Sequence, residues 1–306
     1  MTQSNHRPDN EGLLHNTRTV SVDDDDAYWR WLVPQSVSAG LHVFASCVCG
    51  WFAPAASRAQ ARATAKAHRD RPPTLPVFRI GTASLTGLHR WNTDAVATAV
   101  DDTTGRAAFA LADGLGDNRD IAMTARIAAR AAADAAVGGP AVAGLHGAKV
   151  ALSDIAPWEP IGDVVMVVAV AMADIDGGGW DIAWFGDSRA YLRDGGLRQL
   201  TTDHTLGQIV RDANGPADVA ARHDETVCTT VVGSGLSVAG MTRTWGEHPR
   251  LLLISDGLHR ALPAAAISTA ADRYQHPSEL AARITDFAQL NGGTDNATAV
   301  VVDRIV

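Results

Sequence analysis

Cysteine is scarce in this chain, and its first residues lack the pattern of a secretion signal. The three cysteines, Cys47, Cys49 and Cys228, are too few and too unevenly spaced for a disulfide framework. Residues 1–16 have no apolar run behind their charges, so the sequence does not predict a signal peptide. From both observations we expect a cytoplasmic protein.

Long apolar runs and an excess of positive charge are also absent. The most apolar run, residues 164–173 (VVMVVAVAMA), is far shorter than the about 20 residues of a membrane-spanning helix, so we expect a buried strand there. Lysine and arginine number 26 against 34 aspartates and glutamates, which leaves a formal net charge of -8 and no basic footprint. The composition therefore predicts partners other than nucleic acid or membrane.

Composition divides the 306 residues into three parts. Residues 1–27 are polar and end in an acidic run, which predicts a disordered tail. Residues 28–75 combine several aromatic side chains, an alanine-rich helix after Ser57 as N-cap, and a proline-rich linker at residues 70–76. They predict a small N-terminal module and linker. Residues 76–306 form the main domain.

Apolar runs joined by tight turns alternate with alanine-rich helices in the main domain. The turn Asp194-Gly195-Gly196 is typical of a hairpin, and adjacent hairpin strands imply an antiparallel sheet. Near the end, the pattern predicts a helix with Ser278 as N-cap, stopped at Gly292-Gly293, and then a closing strand. The pattern as a whole predicts an α+β fold.

Four aspartates share one local setting. We interpret each as lying at the end of an apolar strand, followed by a small or turn-forming residue: Asp113-Gly114, Asp187-Ser188, Asp256-Gly257 and Asp295-Asn296. For any single pair an ordinary turn is the simpler explanation. Several converging carboxylates would repel one another without a cation between them, and Mg²⁺ or Mn²⁺ prefers oxygen ligands. The four together predict a site for divalent cations.

Five segments resemble the metal-dependent, type 2C family of protein serine/threonine phosphatases. They occur in the family's order over about residues 80–306, roughly three quarters of the chain: GLHRWNTDA, ALADGLGD, FGDSRAYL followed by LRQLTTDHTL, LLLISDGL, and GGTDNATAVVV. The resemblance implies an α-β-β-α sandwich of two antiparallel β-sheets flanked by helices, with a small N-terminal appendage.

The resemblance also implies a binuclear site. Asp113 would bridge two Mg²⁺ or Mn²⁺ ions, the Gly114 carbonyl would ligate one of them, and Asp256 and Asp295 would ligate the other. A metal-activated water would then hydrolyse phosphoserine and phosphothreonine on substrates of Ser/Thr kinases. In the same resemblance, Asp187 would hold a third, weaker metal.

Two residues are predicted to act beside the metals. Asp94 would orient metal-bound water. Family members usually carry a phosphate-clamping arginine five residues before this aspartate, whereas here Arg90 lies four before it and His89 lies five before it. Either the loop is one residue shorter and Arg90 binds phosphate, or His89 replaces the arginine. A bidentate guanidinium suits phosphate better, so we predict Arg90.

Three residues depart from the family pattern. Thr93 stands where glutamate or glutamine is usual, Asp117 replaces the last glycine of DGxGG, and Arg260 replaces an aspartate that supports the third metal. These changes weaken peripheral ligation but leave the central set intact, so we expect an active enzyme. The alternative is a catalytically weak phosphatase-like scaffold or sensor that binds phosphoproteins.

A zinc site is a second hypothesis, for the N-terminal module. His42, Cys47, Cys49 and His68 are residue types that zinc prefers, and small modules often need a metal to fold. The Cys-x-Cys spacing is tighter than that of standard fingers. A small aromatic-cored appendage with free thiols therefore remains the alternative.

Four further residues are interpreted as structural. His204 is expected to anchor a turn rather than transfer protons. Cys228 is expected to be a buried apolar residue, and Trp180 and Trp184 are expected to pack in the core or at a sheet edge.

Overall fold

A small antiparallel sheet precedes the main domain. The computed structural model describes residues 17–21, 43–47, 52–55, 57–70, 77–101, 105–156, 161–172, 179–245 and 250–305. Strands β1 (Thr17–Ser21), β2 (Val43–Cys47) and β3 (Phe52–Ala55) pair in that order, and helix α1 (Arg58–Asp70) follows. Ser57 caps α1, since its Oγ accepts from Gln60 N at 3.2 Å. The predicted tail at residues 1–27 is therefore wrong for β1, where threonine and valine favour strand pairing.

Ten strands form two five-stranded antiparallel sheets in the main domain. The first sheet has the order β11-β8-β7-β6-β5 and contains β5 (Asp94–Asp101), β6 (Arg106–Gly114), β7 (Val164–Met172), β8 (Gly179–Phe185) and β11 (Gly240–Arg243). The second has the order β10-β9-β12-β13-β4 and contains β4 (Val77–Leu85), β9 (Arg189–Arg193), β10 (Leu197–Gln199), β12 (Arg250–Ile254) and β13 (Ala297–Ile305).

Helices cover the outer faces of both sheets. Those beside the first sheet are α2 (Arg119–Val137) and α3 (Ala141–Ile155), and those beside the second are α6 (Asp256–Ala261), α7 (Ala264–Arg273) and α8 (Pro277–Leu290). Two short helices, α4 (Leu206–Asp212) and α5 (Ala217–Arg222), lie in the connection between β10 and β11. Among the described residues, no helix is both long and apolar enough to span a membrane.

The core has three layers, which follow from the period of two along each strand. On β6, Phe109 and Leu111 face the second sheet, whereas Ala110 and Ala112 face α2. The alanines allow close approach of the alanine-rich helix, whose buried residues are themselves mostly alanine. β7 is covered on both faces, and all nine of its residues are buried. The predicted α-β-β-α sandwich is confirmed, and the buried strand predicted at residues 164–173 is confirmed over Val164–Met172.

The predicted hairpin turn at Gly195 is confirmed, whereas the predicted N-cap of α8 is wrong. Gly195 has φ +65° in the β9–β10 hairpin, as predicted for this turn. Ser278 does not cap α8, because the helix begins at Pro277 and His276 is the N-cap residue. The ring of His276 accepts from Ser278 N at 3.3 Å. Proline suits the first helical position, where its missing N–H has no partner to lose.

Candidate active site

The strand ends bring four predicted aspartates, Asp113, Asp187, Asp256 and Asp295, to one cavity, whereas Asp94 is not among its lining residues. Asp94 and Asp113 are paired across β5 and β6, and Asp256 begins α6 directly after β12. Asp187 follows β8, as expected. Asp295 instead precedes β13, so its interpretation as the residue that ends a strand is wrong. A cavity of about 250 Å³ is lined by His89, Thr93, Asp113, Gly114, Leu115, Gly116, Asp117, Val165, Asp187, Glu225, Val227, Asp256, Arg260 and Asp295.

Burial keeps three of these carboxyl groups from ionising easily. Burial raises the pKa of Asp94 to about 8, although hydrogen bonds from Thr298 and Ser255 partly offset this. Burial, followed by the charges of Asp256 and Asp94, raises the pKa of Asp113 well above its usual range. The pKa of Asp256 is also raised, mainly by burial. Burial and mutual repulsion therefore favour the protonated forms of these carboxyl groups unless a cation compensates their charges.

The donor set fits a hard divalent cation. Asp94 Oδ1, Asp113 Oδ2 and Asp187 Oδ1 are buried oxygens without a hydrogen-bond partner. Within the described ranges, no three histidine, cysteine, aspartate or glutamate side chains enclose an ion by themselves. Mg²⁺ does not need such a group, because it usually keeps several waters and binds one or two carboxylates. The Gly114 carbonyl adds an oxygen at the cavity, where Thr93 Oγ1 lies 3.3 Å from it.

Asp187 faces a protein cation. Arg260 NH2 lies 2.8 Å from Asp187 Oδ2, and Arg260 NH1 lies 3.0 Å from Asp256 Oδ2. Burial still raises the pKa of Asp187 to about 6. His259 Nε2 donates to the Asp187 carbonyl oxygen at 2.9 Å, and burial lowers the pKa of this ring to about 4. A neutral His259 and a charged Arg260 thus fix Asp187 from two sides.

His89, rather than Arg90, reaches the cavity. His89 Nε2 lies 3.2 Å from Asp295 Oδ1, and its Nδ1 lies 3.4 Å from Asp117 Oδ2. The Arg90 side chain is exposed, stacks 5.9 Å from the centroid of the Trp91 ring and is absent from the lining. The loop places it there because Asp117 accepts from the backbone N–H groups of Arg90 and Trp91. The position of Arg90 therefore does not match the predicted phosphate clamp.

Two buried polar residues support the site although sequence reasoning did not single them out. Ser255 Oγ donates to Asp94 Oδ2 at 2.8 Å, and Asn296 Oδ1 accepts from Thr93 N at 2.7 Å. The Asn296 amide also donates to the Thr86 and Trp91 carbonyls. Each residue is the sequence neighbour of a predicted metal ligand, which is the signal that could have found them.

One wall of the cavity comes from the irregular segment after α5. Glu225 and Val227 line the cavity, and hydrogen bonds with Asp163 and Lys149 fix the residues that follow them. Asp163 accepts from Thr230 Oγ1 at 2.6 Å and from Gly233 N at 3.0 Å. Lys149 on α3 donates to the carbonyls of three residues, at positions 231, 232 and 234. The wall is therefore attached to the first sheet's helical layer.

Known proteins similar to this chain are serine/threonine phosphatases. No protein-family model matches the chain. The serine/threonine protein phosphatase PstP of Mycobacterium tuberculosis is 31% identical over 242 residues, which are 75% of this chain and 45% of PstP. The chain thus spans less than half the length of the curated relatives that it matches.

Solved phosphatase structures are matched over nearly their whole length. A structure of M. tuberculosis PstP/Ppp is 26% identical with a TM-score of 0.61, over 74% of this chain and 98% of that chain. The PstP catalytic domain in complex with two manganese ions is also 26% identical with a TM-score of 0.61, over 76% and 100%. The chain belongs to the metal-dependent, type 2C family of protein serine/threonine phosphatases. The S. agalactiae serine/threonine phosphatase shares the fold at 19% identity, with a TM-score of 0.64 over 74% and 99%.

The three departures from the type 2C pattern all take part in the site. Thr93 contacts the Gly114 carbonyl and Asn296, Asp117 orders the loop that carries His89, and Arg260 pairs with Asp187 and Asp256. Each of the three side chains therefore makes hydrogen bonds or ion pairs within the site.

The remaining interpretations have different outcomes. His204 is structural, since its Nδ1 lies 2.7 Å from Thr229 Oγ1 and its ring stacks on Trp184. Trp180 and Trp184 are buried, as expected. Cys228 is exposed, so its predicted burial is wrong: it lies in the irregular wall segment, where its backbone N–H donates to the His204 carbonyl and its side chain faces outward. The side chains of His42, Cys47, Cys49 and His68, the predicted zinc ligands, lie outside the described residues.

Proposed function

We propose that this chain is a metal-dependent phosphatase that hydrolyses phosphoserine and phosphothreonine on other proteins. The observation that carries the proposal is the convergence of buried carboxyl groups from Asp94, Asp113 and Asp256 at one end of the sandwich. Such a cluster is costly unless cations or protons compensate it. The 26% identity to a catalytic domain solved with two manganese ions supports the same reading.

The proposed roles follow the positions of the side chains. Asp113, the Gly114 carbonyl, Asp256 and Asp295 would hold Mg²⁺ or Mn²⁺. When bound, such ions would supply an acidified water and positive charge for the phosphate oxygens. Asp94 would accept a hydrogen bond from the attacking water at its buried, unpartnered Oδ1, while Ser255 fixes its Oδ2.

Substrates, location and domain division are part of the proposal. We infer that the substrates are proteins phosphorylated by Ser/Thr kinases, and that the enzyme acts in the cytoplasm. Residues 28–75 would form a separate module and linker, with zinc bound by His42, Cys47, Cys49 and His68. A third metal at Asp187 is not required for the proposed reaction, because Arg260 already neutralises this carboxylate.

The deciding experiment measures phosphate release from a phosphothreonine peptide with Mg²⁺, with Mn²⁺ and with chelator. We expect metal-dependent turnover, and we expect Asp113→Asn to lower it by at least about 100-fold because the variant removes a carboxylate charge from the proposed metal site. Asp134→Asn is the matched control, since Asp134 lies on the exposed side of α2 and pairs with Arg130. Folded wild-type protein that binds phosphopeptide but releases no phosphate at any metal concentration would favour the scaffold alternative.

A further inference from the structure

Arg260 is the one arginine or lysine among the described residues that line the cavity. It lies one turn after Asp256 on α6, so the i,i+4 spacing brings both side chains to the same face of the helix. Its side chain is 30% exposed, whereas that of Asp187 is 2% exposed. The guanidinium thus lies between a buried carboxylate and the open volume of the site.

Two carboxylates hold this guanidinium in place. NH2 contacts Asp187 Oδ2 at 2.8 Å, and NH1 contacts Asp256 Oδ2 at 3.0 Å. A guanidinium has five N–H donors in a planar fork, so these two contacts leave further donors for a ligand. Because its position is already fixed, the side chain loses little rotamer freedom when it binds one.

The rest of the lining offers little else to an anion. Apart from His89, its ionisable side chains are acidic: Asp113, Asp117, Asp187, Glu225, Asp256 and Asp295. His89 is held between two of these carboxylates, and Arg90 lies outside the cavity on Trp91. A phosphate group with two negative charges is repelled by such a wall except at its cations. Arg260 is a cation that the chain itself supplies, with the geometry that suits phosphate oxygens.

We propose that Arg260 binds the phosphate group of the substrate, in the role that the sequence assigns to Arg90. This inference rests on the proposed function for the identity of the substrate, since a phosphomonoester is the ligand that the cavity would receive. Phosphate binding would also explain why an arginine is compatible with position 260, where the family pattern has an aspartate. Arg260 lines the same cavity as the predicted metal ligands, and its pairing with Asp187 and Asp256 uses only part of its five N–H donors.

The test measures the binding of inorganic phosphate, used as the probe, to the full chain saturated with Mg²⁺. Calorimetry gives the dissociation constant of phosphate. Arg260→Ala is expected to weaken phosphate binding by about tenfold or more, because charge-assisted hydrogen bonds are lost. Millimolar guanidinium ion is expected to restore part of the affinity. In a phosphothreonine peptide assay, the same variant should raise KM by a larger factor than it lowers kcat.

Matched variants separate this role from a structural one. Arg130→Ala is the control, because Arg130 also pairs with an aspartate at i,i+4 but lies exposed on α2, and it should leave the phosphate dissociation constant unchanged. Metal analysis should find equal Mg²⁺ content in wild type and Arg260→Ala. If Arg260→Ala does not fold, Arg260→Lys decides, with severalfold weaker phosphate binding expected from loss of the planar fork.

The outcomes distinguish this inference from the proposed function. Unchanged phosphate affinity in Arg260→Ala, or in Arg260→Lys where only that variant folds, would overturn the role of Arg260 whatever the turnover. Loss of affinity in Arg90→Ala alone would return the role to Arg90. Phosphate binding that depends on Arg260 in a wild-type chain without turnover would instead remove the enzymatic proposal and support the binding role.

Discussion

Asp94 shows how one residue couples the site to the stability of the fold. It lies opposite Asp113 in the β5–β6 register, is 7% exposed, and has a carboxyl pKa raised to about 8 by burial. Between the usual aspartate pKa and this value, the folded chain therefore binds a proton that the unfolded chain has lost. Stability must then fall as pH rises through this window.

The chelator-treated chain should accordingly lose thermal stability as pH increases from about 4 to about 8. Asp94→Asn removes the titrating group, so its melting temperature should depend less on pH over the same window. Thermal melts monitored by circular dichroism at several pH values would measure both. Parallel pH profiles for the two proteins would contradict the contribution assigned to Asp94.

At the same scale, single positions also mark where sequence reasoning reached its limit. The clustering of Asp113, Asp187 and Asp256 was predictable because each lies at or just after the end of a strand and is followed by a small residue. The position of the Arg90 side chain was not predictable, because the conformation of its loop depends on the Asp117 carboxylate, which accepts hydrogen bonds from two backbone N–H groups. Cys228 was misassigned because apolar neighbours in sequence do not reveal which way a side chain points in irregular backbone.

At the scale of elements, the start of β13 organises the loop that closes the cavity. Asn296 is 3% exposed, and its amide group bonds backbone atoms at both ends of the 86–93 loop. Gly257 packs against the same point, where an added Cβ would lie 2.2 Å from the Asn296 carbonyl oxygen. The beginning of α6, the start of β13 and the loop are thus one packed unit.

Asn296→Ala should therefore destabilise the fold by about 1–3 kcal/mol, because Thr93 N and two carbonyls lose buried partners. Chemical unfolding of the metal-free chain would measure this loss. Asn291→Ala is the control, since the Asn291 side chain is exposed and bonds only the Ala261 carbonyl among the described residues. Equal losses in the two variants would show that the Asn296 network does not organise the loop.

Strand and helix patterns were the most predictable level of the structure. The spacing of apolar and turn-forming residues predicts the hairpins, the alternating burial along β6 and the apolar strand β7. The sandwich follows because both faces of the central strands are apolar and must be buried. The N-cap prediction for α8 was wrong because both Pro277 and Ser278 are residue types that favour the start of a helix. The helix begins at Pro277, whose fixed φ suits the first helical position. Side-chain networks such as the ion pair of Arg260 with Asp187 could not be predicted, because they depend on the tertiary structure and leave no periodic pattern in the sequence.

At the scale of the whole molecule, the proposed division near residue 76 can be tested by truncation. A chain that begins at Leu75 should keep full turnover of a small aryl phosphate, because every residue assigned to the site lies after it. Loss of folding or turnover on truncation would show that the preceding residues are part of the catalytic unit. A cut within β4 provides the contrasting case, since β4 pairs along its whole length with β13.

The zinc hypothesis is separable from that division. The full chain should contain near-stoichiometric zinc by elemental analysis if His42, Cys47, Cys49 and His68 bind it, and replacing both cysteines with serine should abolish it. The Asp113→Asn variant should retain the zinc while losing Mn²⁺ affinity. A wild-type chain free of zinc would end this hypothesis.

The central position of β7 has a kinetic consequence for the active site. Its amide hydrogens lie between β6 and β8, under helices on one face and a second sheet on the other, so they should exchange with deuterium only when the whole domain unfolds. β6, which carries Asp113, is hydrogen-bonded directly to this strand. Metal binding at Asp113 should therefore slow the exchange of β6 and β7 together, as one cooperative unit, rather than protect the cavity loops alone.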